Sequence, residues 1–160
     1  MAESDCLPSS PDMAPPQPHW KSCGTHRFYT EGDVVLLQIR GPASTQELST
    51  LLSPIWDVQQ EHGRSFVLVD AREAVPISAE QRRFLADWYR RHPTQGRSII
   101  FGANIVLRAT VALLNAAARL VSGRTFVQEL FVASEDDAWS ALREERRKLM
   151  QSAANSPSQD

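Results

Sequence analysis

The alternation of apolar and polar runs along the chain predicts strands and helices in turn. Two β-rich runs, 26–30 and 34–39, flank a turn at Gly32 and predict a hairpin. Because the second run is almost wholly apolar, we expect it to be buried on both faces of a sheet. Short apolar runs at 65–70 and 98–101 predict two further buried strands, and a last strand is expected within 124–132.

Four helices are predicted between and after these strands. Ser44 with Glu47 and Ser78 with Gln81 have the spacing of capping boxes, in which the serine oxygen accepts the N–H of the third helical residue. Pro54 lacks a backbone donor, so the first helix is expected to kink or restart there. The third helix spans 105–121, and the fourth begins at the acidic segment 134–137, which suits the positive end of a helix dipole.

This order of elements predicts an α/β fold with a mixed, mainly parallel sheet of about five strands and about four helices. The expected domain covers residues 26–150. Residues 1–25 contain five prolines and no apolar periodicity, which is typical of a disordered Pro-rich tail, and residues 151–160 form a second polar tail.

Charge and cysteine content narrow the function classes. The chain carries a net charge of −2, and residues 26–150 contain sixteen basic against fifteen acidic residues. A nearly neutral domain gives no electrostatic case for a nucleic-acid partner. Only Cys6 and Cys23 are present, both in the expected tail, so a disulfide framework is not predicted.

The N-terminal residues lack the pattern of a signal peptide. The most apolar stretch, 105–121, is interrupted by Arg108, Asn115 and Arg119, and it is shorter than the roughly 20 apolar residues that cross a bilayer. We therefore expect no transmembrane segment and a cytoplasmic location.

Several segments together resemble the STAS family of anti-sigma-factor antagonists, and more closely a bacterial subgroup that is also similar to the CRAL-TRIO lipid-binding fold. The matching segments are the hairpin at 32–35, the strand end at Gly41 and Pro42, the strand 66–70 and the acidic start of the last helix at 131–139. The resemblance covers about residues 26–148. It implies a STAS-like α/β domain that binds a kinase-like or other regulatory protein and is not an enzyme.

The same resemblance implies a regulatory serine or threonine at the start of the helix that follows the central strand. The residue at that place is Ser78, but the family's usual Asp-Ser-x-Gly stretch is replaced by 75–80, Val-Pro-Ile-Ser-Ala-Glu. Ser78 is thus a candidate phosphosite, and it is also a sufficient N-cap. A phosphate there would lie at the positive end of the helix dipole.

The third helix has more apolar surface than packing against one sheet would bury. Arg108, Ala112, Asn115, Arg119 and Ser122 form a single narrow polar stripe, whereas a helix on a sheet needs an apolar face only about 100° wide. Either neighbouring elements cover the excess, or it binds a partner, a second copy or a lipid. The candidate surface residues are Leu113 and Leu114, with Arg82 and Arg83 of the second helix as solvated positions or contacts to an acidic partner or anionic lipid.

Candidate catalytic and metal-binding residues are sparse. Asp70 ends a central strand, where α/β proteins often hold ligands, yet it has no second acid, histidine or glycine-rich loop beside it. The four histidines have no ligand spacing. We expect no catalytic site, no metal and no cofactor, with Asp70 anchoring its loop.

Two functions remain open from the sequence. The first is a non-enzymatic regulatory protein-interaction module of the STAS type, with a homodimer as one possible form. The second is a small carrier of a lipid or other apolar ligand, in which the third helix lines a cavity of about 300 Å3 or more.

Overall fold

The computed structural model describes residues 19–122 and 128–154, which contain six strands and four helices. The strands are β1 (Lys21–Cys23), β2 (His26–Glu31), β3 (Val34–Gly41), β4 (Phe66–Ala74), β5 (Ser98–Phe101) and β6 (Glu129–Val132). The helices are α1 (Thr45–His62), α2 (Ala79–Arg91), α3 (Ile105–Ser122) and α4 (Glu135–Ala154). The α/β class and the four helices agree with the sequence-based prediction.

The strands lie in one sheet in the order of the chain, from β1 to β6. The pairs β1–β2 and β2–β3 are antiparallel, and the pairs β3–β4, β4–β5 and β5–β6 are parallel. The expectation of about five strands in a mainly parallel sheet is corrected on both points: the described residues form six strands, and two of the five pairings are antiparallel. The difference arises from β1, which adds an antiparallel partner to the hairpin.

Three helices cover one face of the sheet and one helix covers the other. Val35, Leu37 and Val67 pack against α1 and α2, and Ile100 packs against α3 on the same face. The alternate side chains point the opposite way, where Leu68 and Ile99 join others in packing against α4. Central strands are therefore buried on both sides, which explains why β3 is almost wholly apolar.

Element boundaries differ from the prediction in three places. Residues 21–23, assigned to a disordered tail, form β1, and Cys23 pairs with His26 of β2. Helix α4 extends to Ala154, four residues past the expected domain end. β4 continues to Ala74, four residues past the predicted strand end at 70, because after a register shift in β3 the chain still pairs Gly41 with Ala74.

Pro54 does not restart the first helix. α1 runs from Thr45 to His62 as one helix, and Pro54 is buried within it. The lost backbone hydrogen bond costs the helix about 3 kcal/mol. Leu51 and Ile55 on either side are each only 1% exposed, so the burial of this helix face offsets that cost.

A buried carboxylate fastens α4 to the sheet. Asp33, in the turn between β2 and β3, accepts hydrogen bonds from Arg64 Nε at 2.9 Å and from the guanidinium of Arg146 in α4. Burial by itself raises the pKa of Asp33, but the hydrogen bonds from Arg146 and Arg64 outweigh it and hold the pKa below its ordinary value. The charged form therefore links three separate segments.

None of the helices in the described ranges, α3 included, is long and apolar enough to cross a membrane.

Candidate interaction surface

Helix α3 is anchored to the sheet along one side only. Asn104 caps its start, where the Asn104 Oδ1 accepts a hydrogen bond from the Leu107 N–H at 2.9 Å. Leu107 and Val111, one turn apart, pack against Ile100 and Ala71 of the sheet. This buried side faces β5 and the end of β4.

The side of α3 that points away from the sheet is also apolar. Ile105 is 81% exposed, Leu113 is 71% exposed and Val106 is 54% exposed. Together with the exposed alanines between them they form what we call the α3 apolar face, which consists of Ile105, Val106, Ala109, Ala112, Leu113 and Ala116. A helix that is apolar on both sides is typical of one that lies between two layers of protein.

Two residues of the predicted polar stripe, Arg108 and Asn115, face the β6 edge of the sheet. Asn115 is buried, only 7% exposed, and its Nδ2 donates to the carboxylate of Glu129 at the start of β6. Arg108 turns the same way, with its guanidinium 5.6 Å from the Phe131 ring centroid and its Nε donating to the Ala103 carbonyl. These polar residues face the sheet edge at β6 because their partners are there. The side chain of Arg119, in the same stripe, lies outside the described residues.

Leu113 therefore occupies the exposed position that the sequence predicted as partner surface. The side chain of Leu114, the second leucine of that prediction, lies outside the described residues. Ile105 and Val106 were missed, although a signal existed: positions 105, 109 and 113 lie on one helical side, and 106 and 113 are two turns apart.

The start of α2 lies on the same side of the sheet. Ser78 is exposed and caps α2, with its Oγ accepting from the Gln81 N–H at 3.2 Å and its own N–H donating to Gln81 Oε1 at 2.6 Å. Both predicted capping boxes are thus confirmed. The Nη1 of Arg82 donates a hydrogen bond to the Ile77 carbonyl at 2.7 Å. Arg83 is exposed on the outer side of α2.

A small apolar pocket opens between the first turns of α2 and helix α3. Its volume is about 150 Å3, and its floor is formed by side chains of the sheet and both helices. The apolar side chains that line it include Val69, Ile77, Leu85, Ile100, Leu107 and Val111. The pocket has space for one large apolar side chain, but it is smaller than the cavity of about 300 Å3 expected for a carrier of apolar ligands.

Asp70 lies in the middle of β4, buried to 4% exposure. Its oxygens accept from Arg72 Nε at 2.9 Å, Arg72 Nη2 at 2.6 Å, the Arg72 backbone N–H at 3.1 Å and Gln38 Nε2 at 2.9 Å. Burial alone raises the pKa of Asp70, but these hydrogen bonds lower it below its ordinary value. The carboxylate is engaged within the sheet, where it joins Arg72 of its own strand to Gln38 of β3, and the segment expected to be a loop that it anchors is part of β4 instead.

A larger cleft of about 620 Å3 lies at the opposite edge, where β4 and β5 begin. Two arginines line it, and each forms an ion pair: Arg64 with Asp33, and Arg97 with Glu145 of α4 at 3.2 Å. Tyr89 also lines this cleft, and burial raises the pKa of its hydroxyl. Among the described residues, no three histidine, cysteine or carboxylate side chains are grouped to hold a metal ion.

Comparison with known proteins identifies the fold and nothing finer. The NMR structure of the protein TM1081 has a TM-score of 0.50 to this chain at 11% sequence identity, covering 89% of this chain and 98% of that one. No family model and no curated protein matches the sequence. At this identity the likeness supports an α/β fold with a mixed sheet, without bearing on activity.

A charged substitution should destabilise the fold on the buried side of α3 and have little effect on its exposed side. Leu107→Glu places a carboxylate in the core and is expected to abolish cooperative folding, whereas Leu113→Glu should change the free energy of unfolding by less than about 1 kcal/mol. Urea unfolding followed by circular dichroism measures both. If Leu113→Glu unfolds the protein as Leu107→Glu does, the α3 apolar face is part of a core.

Asp70 should stabilise the fold only while it is charged. Its folded-state pKa is below the unfolded value of about 4, so its contribution is complete above pH 4 and is lost as the pH falls through the folded pKa. We expect Asp70→Asn to cost about 1–3 kcal/mol at pH 7.

Urea unfolding at pH 7, 5 and 3 tests this expectation. The gap between Asp70→Asn and the wild type should narrow below about pH 4, and a gap that widens there would contradict the assignment. The control is Asp87→Asn, because Asp87 is exposed and its pair with Arg90 should contribute less than about 1 kcal/mol.

Proposed function

We propose that this chain is a non-enzymatic, cytoplasmic regulatory module that binds a protein partner through the α3 apolar face and the adjoining start of α2. The observation that carries the proposal is the exposure of Ile105, Val106 and Leu113 on one side of a helix whose other side is already buried. Contiguous apolar surface of this kind marks interaction sites in soluble proteins.

The resemblance of the sequence to STAS domains supports the same proposal, since those domains act by binding regulatory proteins. The polar residues also suit a binding role better than catalysis. Asp70 is engaged by Arg72 and Gln38, and Asp33 by Arg64 and Arg146, so both buried carboxylates hold the fold together.

The alternative, a carrier of lipids or other apolar ligands, has less support. The pocket between α2 and α3 is apolar, but at about 150 Å3 it admits a side chain rather than a lipid. The apolar surface of α3 points outward, away from that pocket, whereas a carrier would direct it toward the ligand.

Capture of a partner by the tagged full chain tests the proposal. Leu113→Glu should abolish recovery of the partner, while Met150→Glu should leave it unchanged, because Met150 is similarly exposed, at 69%, on α4 across the sheet. Mass spectrometry of bound proteins and of extracted lipids identifies what is retained. Recovery of a lipid alone, or equal recovery of one protein by both variants, would overturn the proposal.

Light scattering on the same variants distinguishes a second copy from a different protein. A wild-type dimer that Leu113→Glu converts to a monomer would make the partner another copy of this chain.

Ser78 is proposed as the regulatory position, where a phosphate would add nearly two negative charges beside the α3 apolar face. Ser78→Asp should weaken partner binding by about tenfold or more through that charge. The matched control is Ser44→Asp, since Ser44 caps α1 with the same geometry. Equal binding by both variants, together with no phosphate on Ser78 in protein purified from its host, would contradict this role.

A further inference from the structure

The helices beside the proposed binding surface differ in charge from the rest of the chain. The sequences of α2 and α3 together contain six arginines and two acidic residues, a net charge of +4, within a chain whose net charge is −2. α3 itself contains no acidic residue. The two helices that border the α3 apolar face therefore carry a net positive charge.

One arginine of α2, Arg82, lies toward α3, and the two acids of α2 lie away from it. Leu85 of α2 lines the small pocket together with Leu107 of α3, so this side of α2 faces α3. Arg82 lies beside it, on the same side as Tyr89 two turns further on, and Tyr89 lines the larger cleft with Gln128, the residue before β6. Glu80 and Asp87 share the opposite side, toward α1, and Asp87 is paired with Arg90. The boundary of the α3 apolar face on the α2 side is thus basic.

The other boundary of the α3 apolar face is basic as well. Arg108 lies on the side of α3 that faces β6, over the ring of Phe131, and it is exposed. Of its five N–H groups, the Nε–H is the one that donates to the Ala103 carbonyl. The apolar stripe therefore runs between Arg82 on one side and Arg108 on the other.

We propose that the occupant of the α3 apolar face is an acidic amphipathic helix of the protein partner, with its apolar residues on Ile105, Val106 and Leu113. The inference rests on the proposed function and names the chemistry of the partner. Carboxylates on both edges of such a helix would meet Arg82 and Arg108, and one large apolar side chain would enter the pocket beside α2.

Charge also decides against a second copy as the occupant. Two α3 helices placed face to face would bring arginines near each other with no acidic residue on either helix to compensate. Like charges brought together at an interface cost affinity and suppress the wrong pairing. The alanines at 109, 112 and 116 still allow a different helix to approach closely.

Two synthetic peptides test the inference on the full chain by fluorescence anisotropy. Both form a helix with leucines at i, i+3, i+4 and i+7; one has glutamates at the flanking positions and the other has lysines. We expect the glutamate peptide to bind at least about tenfold more tightly at low salt, with a preference that shrinks as ionic strength rises. Leu113→Glu should abolish binding of the glutamate peptide, and Arg82→Glu with Arg108→Glu should reverse the preference.

Several outcomes would overturn the inference. Equal binding of the two peptides, or no binding of either, excludes an acidic helix, and the salt series on the wild-type chain decides this even if the double variant fails to fold. Binding to vesicles of phosphatidylserine and phosphatidylcholine, without binding to the glutamate peptide, would assign the surface to a membrane. If Leu113→Glu still abolishes capture of the natural partner in these cases, the proposed function stands. Only the inference that the partner presents an acidic helix is then overturned.

Discussion

The layout of this protein depends on how its parallel strands are connected. The chain advances from β3 to β6 without reversing direction, and each connection between these strands contains a helix. Crossovers of one hand that advance in one direction must place their helices on the same face, and nearly all such crossovers are right-handed. α1, α2 and α3 therefore share one face, and α4, which follows the last strand, is left to cover the other.

This constraint also explains why α3 has an open side. It is the last helix of its layer, over the edge of the sheet, so its neighbours are α2 on one side and the β6 edge on the other. The edge holds Glu129, which accepts from Asn115, so the polar residues of α3 turn toward it. The apolar residues that remain, Ile105 and Leu113 among them, then point away from the sheet.

Local signals predicted much of the architecture. The capping boxes at Ser44 and Ser78 set helix starts, and the apolar runs identified β3, β4 and β5, because each signal acts within a few residues. β1 escaped prediction because Lys-Ser-Cys has no strand pattern of its own and is held by pairing with β2. Pro54 does not restart α1, because the burial that offsets its lost hydrogen bond comes from packing against the sheet and α2, which are distant in sequence.

The surface was predicted only in part for a similar reason. Composition showed that α3 carries more apolar residues than a sheet can cover, and Leu113, one of the candidate surface residues, is exposed. Which side faces outward could not be read from the helix alone, because Asn115 is polar and buried while Ile105 is apolar and exposed. That inversion depends on Glu129, a residue fourteen positions away whose location beside α3 is a property of the whole fold.

The α3 apolar face is exposed to water, and its size limits how much free energy its burial can contribute to binding. Burying a large aliphatic side chain is worth about 1.5–3 kcal/mol, so Ile105, Val106 and Leu113 could together contribute several kcal/mol to an interface. Association itself costs about 4–15 kcal/mol in lost freedom of motion, so this stripe alone would not hold a partner tightly. The arginines at its edges and the pocket beside α2 would have to supply the difference, which favours a partner that is both apolar and acidic and a contact that added charge could reverse.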